Sequence, residues 1–343
     1  MSGSPRLSVG LPVYNGEPYL RASIESLLGQ SYENFELIIS DNASTDNTAD
    51  ICRDYAKSDS RVRYFRQPSN IGLAPNHNFV FAQSRGELFK WAANDDLYAR
   101  DLLRCCVEAL DAHPEVILAH SWSAVIDEND KVTQALEYPL ATDSSRAPER
   151  FRSIIFGCSG MFEDTDPGAG GFVRLDNSGI LRACDEYGVI RSAVLRQVSP
   201  LGSYPHSDRI LNIELALRGP FHQTPDWLYF RRDHPDRTYN ANRTARKLSA
   251  TLDPRRASKW KYPAARLAGE YVWRYLAAIR RAPLSAADRV QCYRSLAQWT
   301  VDRAVGKVVT RELKPFGDLV PPVSSGITVS VTGVVAGQAG GPR

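Results

Sequence analysis

Leu7-Ser8-Val9-Gly10-Leu11-Pro12-Val13 runs directly into Tyr14-Asn15-Gly16 and then Glu17-Pro18, and the reading of this stretch decides the fold. The first seven residues form an apolar run suited to a buried strand, and the next three form a turn. Pro18 opens a helix at a position where its missing N–H costs nothing. Leu20, Ile24, Leu27 and Leu28 then share one helical face, and Gly29 suits the C-cap. Outward from this unit the pattern repeats. Residues 35–40 are a short apolar run of the buried parallel type, ending at Asp41. A polar turn over residues 42–46 leads into a helix near 47–57. Strands follow at 62–66, 88–92 and 115–121, and a helix is predicted over 74–83. Another carries Leu102, Leu103, Cys106 and Leu110 inward. Such β-α repetition predicts an α/β fold, a mainly parallel sheet with helices on both faces. Ligands of such sheets bind beyond the carboxyl ends of the strands. That rule singles out Asp41, Asp95 and Asp96, each of which ends a strand.

Composition narrows the class. The 343 residues are 43% hydrophobic and 24% charged, which is globular rather than disordered. A formal net charge of +3 argues against a nucleic-acid partner, which calls for a concentrated basic stripe. Six cysteines with no CxxC spacing read as reduced thiols. No signal peptide and no membrane-spanning run is recognised, so a cytoplasmic protein is expected. A dinucleotide-dependent oxidoreductase is set aside because no GxGxxG follows the first strand.

Beyond residue 125 the pattern loosens. Residues 139–182 are rich in Gly, Pro, Ser and Asp and read as a long loop, with 158–171 as an insertion expected to order over a bound ligand. Regular structure is expected at 187–195, in a helix over 208–218 stopped by Gly219-Pro220, and in a strand over 227–231. Helices follow at 264–281 and 286–305, and residues 316–343 read as a flexible Gly/Val-rich tail. The domain expectation is therefore 1–250 as the main domain, with halves at 1–125 and 126–250, and 251–315 as a helical extension.

Leu11-Pro12-Val13-Tyr14-Asn15, the block from Ser40 to Thr48, Asn70-Ile71-Gly72 and the acid pair Asp95-Asp96 together resemble the inverting family 2 glycosyltransferases of GT-A fold. The resemblance is strong from about residue 6 to 125 and weaker to about 237. It implies a nucleotide-diphosphate sugar donor, UDP- or dTDP-type favoured, an acceptor hydroxyl on a protein, glycan or lipid, and Mn²⁺ or Mg²⁺ as cofactor. It implies Pro12, Tyr14, Asn15 and Asn70 in the donor site, and Asp41 on the imide of the base. Asp95 and Asp96 would face the metal and donor, His234 would be a further metal contact, and Asp208 the catalytic base. One departure is visible: an Asp-x-Asp-Asp form is common in the family, whereas Ala93 stands where the first acid would be.

The chemistry suits these residue types. Oxygen ligands suit a hard cation, and a leaving diphosphate calls for positive charge. A carboxylate can take the acceptor's proton. Arg231 or Arg232 could reach the diphosphate with a matching guanidinium, and strand alternation directs only one of them inward. Ordinary structural roles stand beside these: Asp95, Asp96 and Asp208 as helix caps, Asp41 as a turn former, and His77, His113 and His120 as structural histidines. Residues 264–305 admit a peripheral membrane contact or a homo-oligomer interface, but Trp and Tyr lie all round the first helix, which favours packing on the domain. The rival to an enzyme is a non-catalytic sugar-nucleotide-fold protein acting as a binding or assembly partner, suggested by Ala93.

Overall fold

The computed structural model describes residues 4–136, 140–157, 185–241, 245–258 and 264–304. Among them, nine strands form one sheet in the order β3-β2-β1-β4-β8-β6-β9-β5, with β7 added alongside β6. The first strands are β1 (Leu7–Val13), β2 (Phe35–Asp41), β3 (Val62–Arg66) and β4 (Leu88–Trp91). All three pairings among them are parallel. The register sets Pro12 opposite Ser40 and Val13 opposite Asp41, so both strands end at the same level. Helices α1 (Glu17–Leu28), α2 (Thr48–Ser58) and α3 (Leu73–Ala82) supply the crossovers.

Alternation divides the core between the two faces of the sheet. Leu7, Val9, Leu11, Leu37 and Ile39 pack with α1 and with α4 (Leu102–Ala112) on one side, while Ile38, Phe89 and Trp91 pack on the other. Gly10 sits where a Cβ would lie 2.6 Å from Val80 Cγ2, so its lack of a side chain lets α3 close onto the sheet.

The second half adds strands of mixed sense. β5 (Leu97–Tyr98) and β8 (Val189–Arg191) pair antiparallel with their neighbours, and β6 (Leu118–Ile126) runs parallel to the long β9 (Phe221–Arg232). β7 (Val132–Leu136) makes a hairpin with β6. The long loop expected over 139–182 contains α5 (Ala147–Gly157), whose Phe151, Ile154 and Ile155 are buried. Its short apolar stripe lay hidden among loop-type residues. The insertion at 158–171 and the tail at 316–343 lie outside the described residues.

One turn of helix, α6 (Ser192–Leu195), precedes α7 (Ser207–Ala216), which is buried along nearly all its length. After β9 come the turn α8 (Thr238–Ala241), then α9 (Ala245–Leu252), α10 (Ala264–Arg281) and α11 (Ala286–Ala304). Tyr271, Tyr275, Ile279, Leu296 and Trp299 from the last two helices belong to the same core as Phe89, Leu118 and Leu211. The inner face of α10 is thus packed against α7 and α11. Trp273 and Leu276 remain exposed on its outer face. No helix among the described residues is long and apolar enough to cross a membrane.

Candidate active site

Three loops at the carboxyl ends of β1, β2 and β3 are tied to one another by side-chain hydrogen bonds. Asn15 adopts a left-handed backbone, φ 50°, which Asn tolerates better than most residues. From there its N–H donates to Ser44 Oγ at 2.9 Å, and its side-chain oxygen accepts from Thr45 N at 2.9 Å. Thr48 Oγ1 accepts from Gly16 N, and Asp46 from Glu17 N. Ser44, Thr45 and Asp46 therefore bind the first loop to the second. Asn42 Nδ2 donates to Asn70 Oδ1 at 3.0 Å, while Asn42 Oδ1 accepts from Ile71 N.

Gly72 has φ +94°, and a Cβ there would fall 2.6 Å from the carbonyl oxygen of Leu252. The end of α9 thus rests directly on this third loop.

These loops open onto a cavity of about 510 Å³. Pro12, Tyr14, Asn42 and Asn70 line one end, Asp95 and Asp96 the middle, and Asp208 and Glu186 another wall. Tyr14 is 47% exposed, a large ring left open at the rim. Asn15 and Asp41 do not line it. Asp41 is completely buried just beneath, accepting from Ser44 N at 2.8 Å and from the Tyr64 hydroxyl at 3.0 Å. The structure therefore gives both residues a bracing part in the loops, with the Asn42–Asn70 pair at the wall.

The acid pair divides its labour. Asp96 is buried, and its two oxygens accept from the Tyr229 hydroxyl and from Arg232 N. Burial and the charge of Asp95 push its carboxyl up to about 6. Asp95 Oδ2 meets His234 Nε2 at 3.0 Å. Burial opposes its charge, but the His234 hydrogen bond and Arg237 outweigh that and hold Asp95 below the ordinary carboxylate range. The His234 ring lies 4.9 Å from that of Tyr19. Through this contact His234 orients the Asp95 carboxylate.

Arg232 does not reach the cavity. Its guanidinium is almost wholly buried, donating to the Asp95 and Asp127 carbonyls, pairing with Asp130 and lying over the Tyr19 ring. It braces the acid loop from behind, which corrects the expectation that it faces the diphosphate. The guanidinium on the cavity wall belongs to Arg237, and its charge is felt by both Asp95 and Asp96. No sequence signal marks it, since it follows Pro235-Asp236 in what reads as an ordinary turn.

Among the described residues, no group of three His, Cys, Asp or Glu side chains converges as a metal cage. With Asp96 committed to Tyr229 and Arg232, and with His234 bonded to Asp95, Asp95 is the carboxylate left to face a cation. That fits Mg²⁺ or Mn²⁺ held by one carboxylate and a ligand's own phosphates, a common arrangement for small hard cations.

Asp208 lies in the first turn of α7, where the helix dipole favours an anion. The preceding residue but one, His206, takes the left-handed conformation, φ 58°, and turns the chain into the helix beside the cavity. Burial is the main influence on Asp208 and raises its pKa. Glu186 is pushed up to about 8, first by burial and then by the charge of Asp208. Glu186, His77 and Trp91 line the cavity but stood outside the sequence-derived site. His77 Nδ1 lies 2.9 Å from the Leu73 carbonyl, and burial lowers its pKa to about 4, so the ring is neutral. Leu248, Thr251, Leu252 and Pro254 close the far wall, brought there by α9 and the turn that follows.

Residues 8–168 match the family model described as glycosyl transferase family 2. An uncharacterized glycosyltransferase of Haemophilus influenzae is 39% identical over 99 residues, 29% of this chain and 40% of that protein. The putative glycosyltransferase EpsE of Bacillus subtilis is 36% identical over 129 residues, 37% of this chain and 46% of that protein. The chain thus spans less than half the length of these two relatives. The crystal structure of S. aureus TarS in complex with UDP-GlcNAc superposes with a TM-score of 0.50 at 16% identity, covering 90% of this chain and 94% of that one. That likeness is one of fold. Residues 8–168 are thus similar to family 2 glycosyltransferase domains, and the sheet with its flanking helices is similar in fold to that of TarS.

Proposed function

We propose that the protein is an inverting glycosyltransferase that moves a sugar from a UDP- or dTDP-type donor to an acceptor hydroxyl. The observation carrying this reading is one continuous cavity that joins the loop ends of β1 and β2 to Asp95 and then to Asp208. A nucleotide would lie against Pro12, Tyr14, Asn42 and Asn70, with Asp41 and Asn15 holding that wall in shape. A UDP-GlcNAc complex of the similarly folded TarS supports the choice of donor class.

In an inverting transfer the acceptor oxygen bonds to the anomeric carbon as the carbon–oxygen bond to the diphosphate breaks, and the electron pair of that bond leaves with the diphosphate. The acceptor's proton passes to the Asp208 carboxylate, which must be ionised at the outset. A raised pKa makes Asp208 a stronger base than an ordinary aspartate. Arg237 meets the growing charge of the diphosphate from the cavity wall. A Mg²⁺ or Mn²⁺ on Asp95 would add further positive charge to the leaving group. Asp96 and His234 hold Asp95 and its loop in register.

The test is release of nucleoside diphosphate from UDP-, dTDP- and GDP-sugars with Mn²⁺, Mg²⁺ or EDTA, alongside calorimetry with the same donors. Metal-dependent release from one donor, lost in Asp208→Asn, is the expected result. Failure to bind any of these donors would sink the proposal, whereas binding without turnover under any acceptor would point to the non-catalytic alternative.

A further inference from the structure

Glu186 comes from a separate turn that precedes α7 in the chain, and it is fixed beside the proposed base from two directions. Its 3₁₀ turn (Asp185–Tyr187) is closed by Gly188 N donating to the Asp185 carbonyl at 2.8 Å. The buried Lys90 ammonium donates to the Tyr187 carbonyl and lies 5.0 Å from the Tyr98 ring centre and 5.6 Å from that of Tyr229. From the other side, Asn212 stands four residues after Asp208 and therefore shares its helix face. Asn212 Nδ2 donates to Glu186 Oε2 at 2.8 Å. Glu186 and Asp208 both line the cavity.

We propose that Glu186 is a positioning residue for the base: held by Asn212, its carboxyl shares one proton with Asp208 and sets a hydrogen-bond donor beside the carboxylate that receives the acceptor hydroxyl. The inference rests on the assignment of Asp208 as the base. Two carboxyls at one low-dielectric site do not both ionise readily, and their protons belong to the pair.

Asp185 adds a further negative charge on the same turn, and its effect on Glu186 is in the same direction as that of Asp208. Arg209 and Arg231 act on Asp208. His206 at the start of α7 and His120 on β6 are both driven towards the neutral form by burial. Tyr187 and Tyr229 lie nearby among the described residues, and Lys90 is engaged by the turn's backbone. Among the described residues no cationic side chain forms an ion pair with Glu186. Protonation is then what relieves the repulsion, consistent with a midpoint for Glu186 of about 8.

The experiment is a carbon-13 NMR titration of the full chain labelled at glutamate side-chain carboxyls, with the Glu186 signal identified by its absence in Glu186→Gln. Expected is a midpoint near 8 in the wild type, falling by about one unit or more in Asp208→Asn. The reciprocal arm labels aspartate carboxyls, and the Asp208 signal should move up in Glu186→Ala, which removes the donor that favours the ionised carboxylate. A Glu186 midpoint in the ordinary carboxyl range, or one unmoved by Asp208→Asn, overturns the pair. Should Asp208→Asn fail to fold, the wild-type midpoint and the reciprocal arm decide. The titration needs no turnover, so absence of transfer from every donor would remove the functional reading while leaving the pair intact.

Discussion

The two halves of the cavity are built on different principles. The half at the ends of β1–β3, where a nucleotide is proposed to lie, is made of consecutive β-loop-α units, and its loops bond to loops about thirty residues away, as Asn15 does to Ser44 and Asn42 to Asn70. The other half is gathered from segments of different kinds: Glu186 from a turn, Asp208 from a buried helix, and Leu252 from α9. The first half is held by repeated local geometry. The second depends on a core to which α10 and α11 contribute, and small errors of packing there would reach Asp208 directly.

The sharpest way to break this comparison is Asp208→Asn, which touches the chemistry of the gathered half alone. Transfer should fall by about 10²–10⁴-fold, while calorimetry finds donor affinity unchanged. Equal loss of binding and turnover would mean that Asp208 serves the nucleotide half instead. Next is Trp299→Ala. The indole is 4% exposed in the core beneath α7. Its removal should cost about 3–5 kcal/mol in urea unfolding, and the Asp208 wall should lose order before the β1–β3 loops do, as read by hydrogen exchange. If the helices α10 and α11 unfolded without disturbing α7, the idea of one shared core would be wrong.

His234→Ala tests the seam between the halves. Losing the partner of Asp95 should weaken metal-dependent donor binding by about 10–100-fold, with little effect on binding measured in EDTA. Gly72→Ala asks how tightly α9 is seated on the third loop. A side chain at φ +94° against the Leu252 carbonyl should cost about 1–3 kcal/mol, and a neutral result in thermal unfolding would show that α9 moves aside freely.

The last test is one of direction. Glu186 has a folded-state pKa of about 8 against an ordinary 4.5. Between those values the folded chain keeps a proton that the unfolded chain has released, so this group's contribution to stability declines as pH rises through the window. Glu186→Gln should flatten that part of the stability–pH curve. An identical slope in wild type and variant would place the burden on other groups.

Much of the first half was legible because its signals are local. Apolar runs of strand length ended in Asp or Asn, and Pro and Gly marked the helix boundaries. The strand expected over 62–66 coincides with β3, and the helix over 264–281 with α10. The expected strand at 115–121 falls short of β6 because β6 continues to Ile126 along β9, a partner about a hundred residues away. α5 went unseen because its stripe of Phe151, Ile154 and Ile155 is flanked by loop-type residues and becomes meaningful only against α7 and α11. For Arg232, alternation could say that one of two neighbouring arginines points inward, but not that three acceptors wait for it behind the acid loop.

By itself the sequence determined the parallel α/β frame, the level at which its strands end, and the acids Asp95, Asp96 and Asp208 as residues to examine. The frame and the first two acids follow from periodicity and strand ends, which are properties of short segments, and Asp208 from the resemblance to a family. Only the tertiary structure decided that Asp41 sits buried behind the wall while Asn15 braces the loops from outside the cavity, that Arg237 rather than Arg232 faces the cavity, and that Glu186 lines it together with Asp208. Such relations depend on which direction a side chain takes after long excursions of the chain, and on which buried polar group finds a partner there. No local pattern encodes that, because the free energy that selects it arises only once the separate segments pack together.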